Sequence, residues 1–118
     1  MPAVLIVEDT DAQAALLRRY LQDQYTVVER VRTADEAVRA ARETSPDIVV
    51  MDLNLAEGNG IEATKSINAL DESIRIVVST VYVDEDVQTR ALDAGADAYL
   101  FKPYTRQELL STVEDVLG

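Results

Sequence analysis

Five residues could do chemistry together. Glu8 and Asp9 follow the apolar run Val4–Val7, Asp52 follows Ile48–Met51, and Thr80 and Lys102 each close a later apolar run. Two or three carboxylates at close range repel one another unless a cation joins them. Oxygen ligands without imidazole favour Mg2+ or a similar hard ion. A carboxylate is already ionised at neutral pH, so one in the shell of a metal can attack phosphorus without a general base, giving an aspartyl phosphate. The equatorial phosphoryl oxygens then need donors, and the ammonium of Lys102 and the hydroxyl of Thr80 are suitable. His and Cys are both absent, which excludes thiol chemistry, disulfides, Cys/His zinc sites and imidazole bases.

Each residue also has a plain reading. Glu8-Asp9 could be helix-start acids that complement the dipole. Asp52 could be a turn aspartate, although a charge ending the apolar strand Ile48–Met51 needs a compensating partner. Thr80 alone is a strand-end threonine, and Lys102 alone a solvated base. What decides is whether the elements bring them to one rim.

Short β-branched runs at Val4–Val7, Thr26–Val28, Ile48–Met51, Ile74–Val78 and Ala98–Phe101 alternate with stretches of helical spacing. Most of the runs are continuously apolar, which suits strands covered on both faces. The helical stripes are Ala14/Leu17/Leu21, Ala37/Val38/Ala41, Ile61/Ala63/Ile67/Leu70, Val87/Ala91/Leu92 and Leu109/Leu110/Val113/Val116/Leu117. Thr10-x-x-Gln13, Thr33-x-x-Glu36 and Thr105-x-x-Glu108 each have the form of a capping box. Ser45-Pro46 ends the second helix, because the residue before Pro avoids the α region. Five β-α units imply an α/β domain over residues 1–118, with a doubly wound parallel sheet and right-handed crossovers. Ligands bind such sheets beyond the carboxyl ends of the strands. There Glu8, Asp9, Asp52, Thr80 and Lys102 all fall.

The chain has 118 residues, a size for one domain, and 22 acids against 11 bases, a net charge of −11. That balance argues against direct nucleic-acid binding and against an anionic membrane surface. No apolar stretch is long enough to span a bilayer, and no basic leader precedes a hydrophobic segment, so a cytoplasmic protein without a signal peptide is expected. Only Lys65 and Lys102 are lysines among the eleven bases. An acidic, lysine-poor surface fits life in concentrated salt, where screening relieves self-repulsion. Thermal unfolding should then shift upward between low and multimolar KCl, and equal stability in both would remove that reading.

The motifs Val4-Leu5-Ile6-Val7-Glu8-Asp9, Val49-Val50-Met51-Asp52-Leu53-Asn54, Thr80, Gly95-Ala96-Asp97-Ala98-Tyr99 and Lys102-Pro103 resemble the receiver domain of two-component response regulators. The resemblance covers the whole chain, with intervals of 43, 28 and 22 residues between Asp9, Asp52, Thr80 and Lys102. It implies a flavodoxin-like receiver fold, a five-stranded sheet in the order 2-1-3-4-5 with five helices. It implies that Asp52 is the phosphoacceptor, charged by a histidine kinase, a phosphotransfer protein or a small phosphodonor. Glu8 and Asp9 would hold Mg2+, Glu8 through water, with the backbone carbonyl of Asn54 as a further ligand. Thr80 and Lys102 would bind the phosphoryl oxygens, and Tyr99 would be the switch aromatic. The family also implies a cis bond before Pro103 and a signalling surface over Asp84–Gly118. The domain would catalyse its own phosphorylation and dephosphorylation and pass the signal to a downstream effector or an attached output domain. Homodimerisation on phosphorylation, through the last helices, is part of the same expectation. The stretch Arg75–Val81 with Glu85–Val87 resembles receivers that precede helix-turn-helix output domains.

Some positions depart from the family pattern. Ala56 replaces the usual Pro in the loop after Asn54 and should make it less rigid, and Val81 stands where many members carry Ala or Gly. Tyr82, two beyond Thr80, occupies a position that influences phosphoryl lifetime by shielding the site, and slow loss of the phosphoryl group is expected. Ser79 competes with Thr80 for the hydroxyl role, but the spacing to Gly95 and Lys102 favours Thr80. Three rival functions remain. An aspartyl-phosphate phosphatase of the haloacid-dehalogenase type wants a second Asp where Asn54 stands. A flavodoxin-like electron carrier wants a phosphate loop after the first strand, which is missing. A receiver-like interaction module that no longer takes phosphate would not need the intact site.

Overall fold

The apolar runs form the strands β1 (Ala3–Val7), β2 (Thr26–Val31), β3 (Ile48–Asp52), β4 (Arg75–Thr80) and β5 (Ala98–Phe101), in a computed structural model that describes residues 1–55 and 57–118. The helical stretches form α1 (Asp11–Leu21), α2 (Ala34–Thr44), α3 (Gly60–Leu70), α4 (Glu85–Asp93) and α5 (Arg106–Leu117). Every strand pairing is parallel, and the order across the sheet is β2-β1-β3-β4-β5. This is the doubly wound, flavodoxin-like arrangement expected from the alternation of elements. Among the described residues no helix is long and apolar enough to cross a membrane. Ala56 lies outside the described residues.

Side chains of a strand alternate between faces, and here the alternation sorts the core into two layers. Leu5, Val7, Val49, Met51, Ile76 and Val78 pack with α2, α3 and Ala91 of α4. Val4, Ile6, Ile48, Val50 and Val77 pack with Leu17 and Leu21 of α1 and Leu109 and Val113 of α5. Continuing each strand by parity assigns Glu8, Asp52, Ser79 and Lys102 to the α1/α5 side. Thr80 and Tyr99 fall on the other side, and Tyr99 packs against that cluster.

Three local expectations need correction. Strand β2 continues through Glu29 and Arg30 to Val31, beyond the apolar run, because an edge strand tolerates polar side chains. Strand β4 does end in Ser79 and Thr80, where the sequence places its close. The three capping boxes also differ. Only Thr105 and Glu108 make both reciprocal bonds. The Thr33 hydroxyl accepts from Glu36 N, but Glu36 reaches past it to Arg32 N. Thr10 makes no side-chain cap at all: its hydroxyl donates to Asp9 Oδ1 at 3.4 Å and its N–H to Glu8 Oε2 at 3.2 Å. Asn59 and Asp84 cap α3 and α4 instead. Helix α2 does stop before Pro46, but with Ser45 in the left-handed region at φ 45° rather than extended.

Candidate functional site

The parallel register brings the strand ends level. Val7 lies beside Met51, Asp52 beside Ser79, and Thr80 beside Phe101. The residues that follow Val7 and Phe101 therefore meet Asp52 at one rim of the sheet, as the sequence predicts. One carboxylate oxygen each from Glu8, Asp9 and Asp52 lie within 4.8 Å of one another. Glu8 is 1% exposed and Asp52 5%. Burial of charge at that depth is costly unless partners compensate.

Lys102 compensates two of the three. Its Nζ donates to Glu8 Oε1 at 2.8 Å and stands 3.5 Å from Asp52 Oδ2. Parity explains the contact, since all three residues extend the same face. Burial works to lower the pKa of the ammonium, but the hydrogen bond to Glu8 and the charges of Asp52 and Glu8 outweigh it, so the pKa is raised. The second oxygen of Glu8 accepts from Thr10 N, and Asp52 Oδ1 accepts from Asn54 N at 3.0 Å. The cluster thus holds more negative charge than one ammonium offsets, on oxygen donors alone. That donor set fits a hard divalent cation, which would find its ligands among Glu8, Asp9 and Asp52.

The rival hydroxyls of β4 part company. Ser79 Oγ is paired with the Tyr104 hydroxyl at 2.9 Å in a buried contact. Burial pushes the Tyr104 phenol up, against the opposing hydrogen bond from Ser79. The Thr80 hydroxyl accepts from Tyr82 N at 3.2 Å, and so keeps its own proton for another acceptor. Tyr99 donates to the Tyr82 carbonyl at 2.9 Å. The Tyr82 main chain therefore bridges Thr80 and Tyr99, while the residue as a whole is 41% exposed. Val81 is exposed, Asn54 is exposed, and the Lys102–Pro103 bond is cis.

Sequence reasoning passed over Tyr104, Arg30 and Arg32. Tyr104 follows Lys102-Pro103 directly, and its polar tip finds a partner only through the fold. Arg30, in the edge strand, and Arg32, just past its end, have the i, i+2 spacing that aims both side chains at one face, and both reach the Glu8-Asp9 turn.

Comparison with known proteins agrees with this geometry. The family model for the response regulator receiver domain matches residues 4–114. The chain is 33% identical over 114 residues to the chemotaxis protein CheY of Halobacterium salinarum, covering 97% of this chain and 95% of that protein. It is 34% identical over 116 residues to the transcriptional regulatory protein PrrA of Mycobacterium leprae, covering 98% of this chain but 50% of the regulator. Among solved structures, a LuxR-family two-component response regulator from Aurantimonas sp. SI85-9A1 superposes with a TM-score of 0.93 at 36% identity, over 99% of this chain and 85% of that one. The response regulator domain of Thermotoga maritima CheB gives a TM-score of 0.92 at 27% identity, over 99% and 96%. In its β-α order, its matched residues and its acidic rim, the chain belongs to the response regulator receiver domain family.

Proposed function

We propose that residues 1–118 act as one receiver domain that accepts a phosphoryl group on Asp52 from a histidine kinase or phosphotransfer protein. The supporting observation is the convergence of Lys102 and the acidic pair on a strand-end aspartate that is otherwise buried. An Asp52 carboxylate oxygen attacks phosphorus, the bond from phosphorus to the donor breaks, and the donor leaves with that electron pair. Glu8, Asp9, Asp52 and the Asn54 carbonyl would hold Mg2+, which when bound would supply charge that offsets the phosphoryl oxygens. The Lys102 ammonium and the Thr80 hydroxyl donate to those same oxygens. The domain performs this reaction and its hydrolysis on itself, without turnover of a separate substrate.

Switching follows from what Thr80 and Lys102 gain only in the phosphorylated state. A Thr80 hydroxyl drawn toward Asp52 moves away from Tyr82 N, and the Tyr82 carbonyl is the acceptor that holds Tyr99. Tyr99 then turns inward, and the surface of α4, β5 and α5 changes for a downstream effector, an attached output domain or a second copy. The chain spans 50% of the transcriptional regulator PrrA but 95% of CheY, so the output belongs to this proposal. Beryllofluoride, a phosphoryl mimic, should bind only with Mg2+ present. No binding would instead mark a phosphorylation-independent interaction module.

Tyr82 shields the site in this reading. Tyr82→Ala should shorten the lifetime of the phosphoryl group several-fold, measured as loss of label after the donor is removed. An unchanged lifetime would remove the shielding role.

A further inference from the structure

Strand β1 and helix α1 are joined by a turn whose main chain carries two of the three acids of the rim, Glu8 and Asp9, and the carbonyls of these two have no partner in either element. The β1–β2 ladder reaches its end at Glu8 N, which donates to Val31 O at 3.0 Å. The helical pattern starts with Ala14 N donating to Thr10 O at 3.0 Å. The carbonyls of Glu8 and Asp9 lie between these two bonds. Each is taken by an arginine, one in β2 and one just past its end. Arg30 Nε donates to Glu8 O at 2.7 Å, and Arg32 Nη1 donates to Asp9 O at 3.1 Å.

The same two guanidiniums share one counter-ion. Arg30 Nη1 donates to Asp11 Oδ1 at 2.9 Å, and Arg32 Nη2 donates to that same oxygen. Asp11 is the first residue of α1, so the strand edge, the acidic turn and the helix start are tied by one fork-shaped network. The Arg30 side chain is only 17% exposed, and its Nη2 is buried without an acceptor among the described residues. Leaving a donor unpaired is a cost that a side chain free to swing into solvent would not bear.

We propose that Arg30 and Arg32 are positioning residues that set the divalent-cation affinity of the site by clamping the main chain of Glu8 and Asp9. The proposal rests on the reading that these two acids hold the cation. A metal's oxygen ligands must hold one mutual geometry, and groups that orient ligands without touching the ion commonly govern affinity. Clamping and charge make opposite predictions. Two cations beside the site repel Mg2+ by charge alone, so deleting one would strengthen binding. Loosening the turn weakens it.

The test is calorimetric titration of the full chain with MgCl2, with thermal unfolding recorded without metal. Arg30→Gln and Arg30→Lys should both weaken Mg2+ binding, by roughly 10-fold. Lysine keeps the charge but lacks the planar fork that reaches a carbonyl and Asp11 together. Arg32→Lys, at a half-exposed position where folding is not at risk, should weaken binding several-fold. Tighter binding by Arg30→Gln with no change in Arg30→Lys would overturn the clamp in favour of charge. Unchanged affinity in all three variants, with only a lower Tm, would overturn it in favour of a structural role. A wild-type chain that binds no Mg2+ overturns the reading of the site and the clamp together.

Discussion

Replacing Asp52 by alanine or asparagine is expected to reduce phosphoryl labelling to background. The asparagine variant is the sharper instrument. It keeps the shape of the side chain and an oxygen that can accept from Asn54 N, the bond that now orients the Asp52 carboxylate. It lacks only the ionised oxygen that attacks phosphorus. The measurement is intact mass, or retained label, after incubation with a small phosphodonor and Mg2+. The neighbouring carboxylates are poor substitutes. Glu8 has Oε1 on Lys102 and Oε2 on Thr10 N. Label that persists in Asp52→Asn would move the acceptor to another residue and sink the assignment.

A single methyl group on Gly60 should have nearly as large an effect, through the main chain. Gly60 opens α3 directly against the main chain of Asp52. A Cβ there would sit 2.5 Å from the Asp52 carbonyl oxygen and 2.6 Å from Leu53 Cα. Both are backbone atoms, so no side chain can turn aside. The helix cannot easily retreat either, because Ala63 and Ile67 anchor it in the core. Gly60→Ala is therefore expected to cost about 3 kcal/mol of stability, at the upper end for overpacking. Tm should fall by ~10 °C. Because the strain falls on the peptide that carries Asp52, labelling of the folded variant should slow by roughly 100-fold. Gly95→Ala is the control. Its methyl would meet Asn68 Cγ at 2.5 Å, at a φ of +117°, and it should destabilise without slowing the labelling of folded protein. Equal labelling rates in the two variants would show that the close approach of α3 does not hold Asp52 in place.

The fold was legible because its signal is apolar and repeated. Ile48–Met51 is buried on both faces as the run predicts, and parity alone separates Ser79 from Thr80 once the strand is recognised. The rim was legible because a charge closing such a strand has few explanations. Polar residues whose role depends on a distant partner were not. Arg30 reaches 22 positions back to the Glu8 carbonyl, and nothing in Val28–Arg32 distinguishes it from a solvated edge residue. Tyr104 pairs with Ser79 across 25 positions. The cap at Thr10 was misread for a related reason. The Thr-x-x-Gln pattern is local, but the Glu8 carboxylate competes for the turn's donors and takes Thr10 N.

The contacts of Lys102 also fix a charge stoichiometry. With three carboxylates gathered within 4.8 Å and all ionised, the one ammonium bonded among them offsets a single charge and leaves two. A divalent ion completes electroneutrality, and a monovalent ion stops one charge short. Phosphorylation of Asp52 would exchange one negative charge for nearly two, so a phosphorylated rim would hold a divalent ion more tightly than the resting one, and by linkage the ion would favour phosphorylation equally. Valence becomes the selector. Monovalent salt, however concentrated, can screen the acids spread over the helices without balancing the rim.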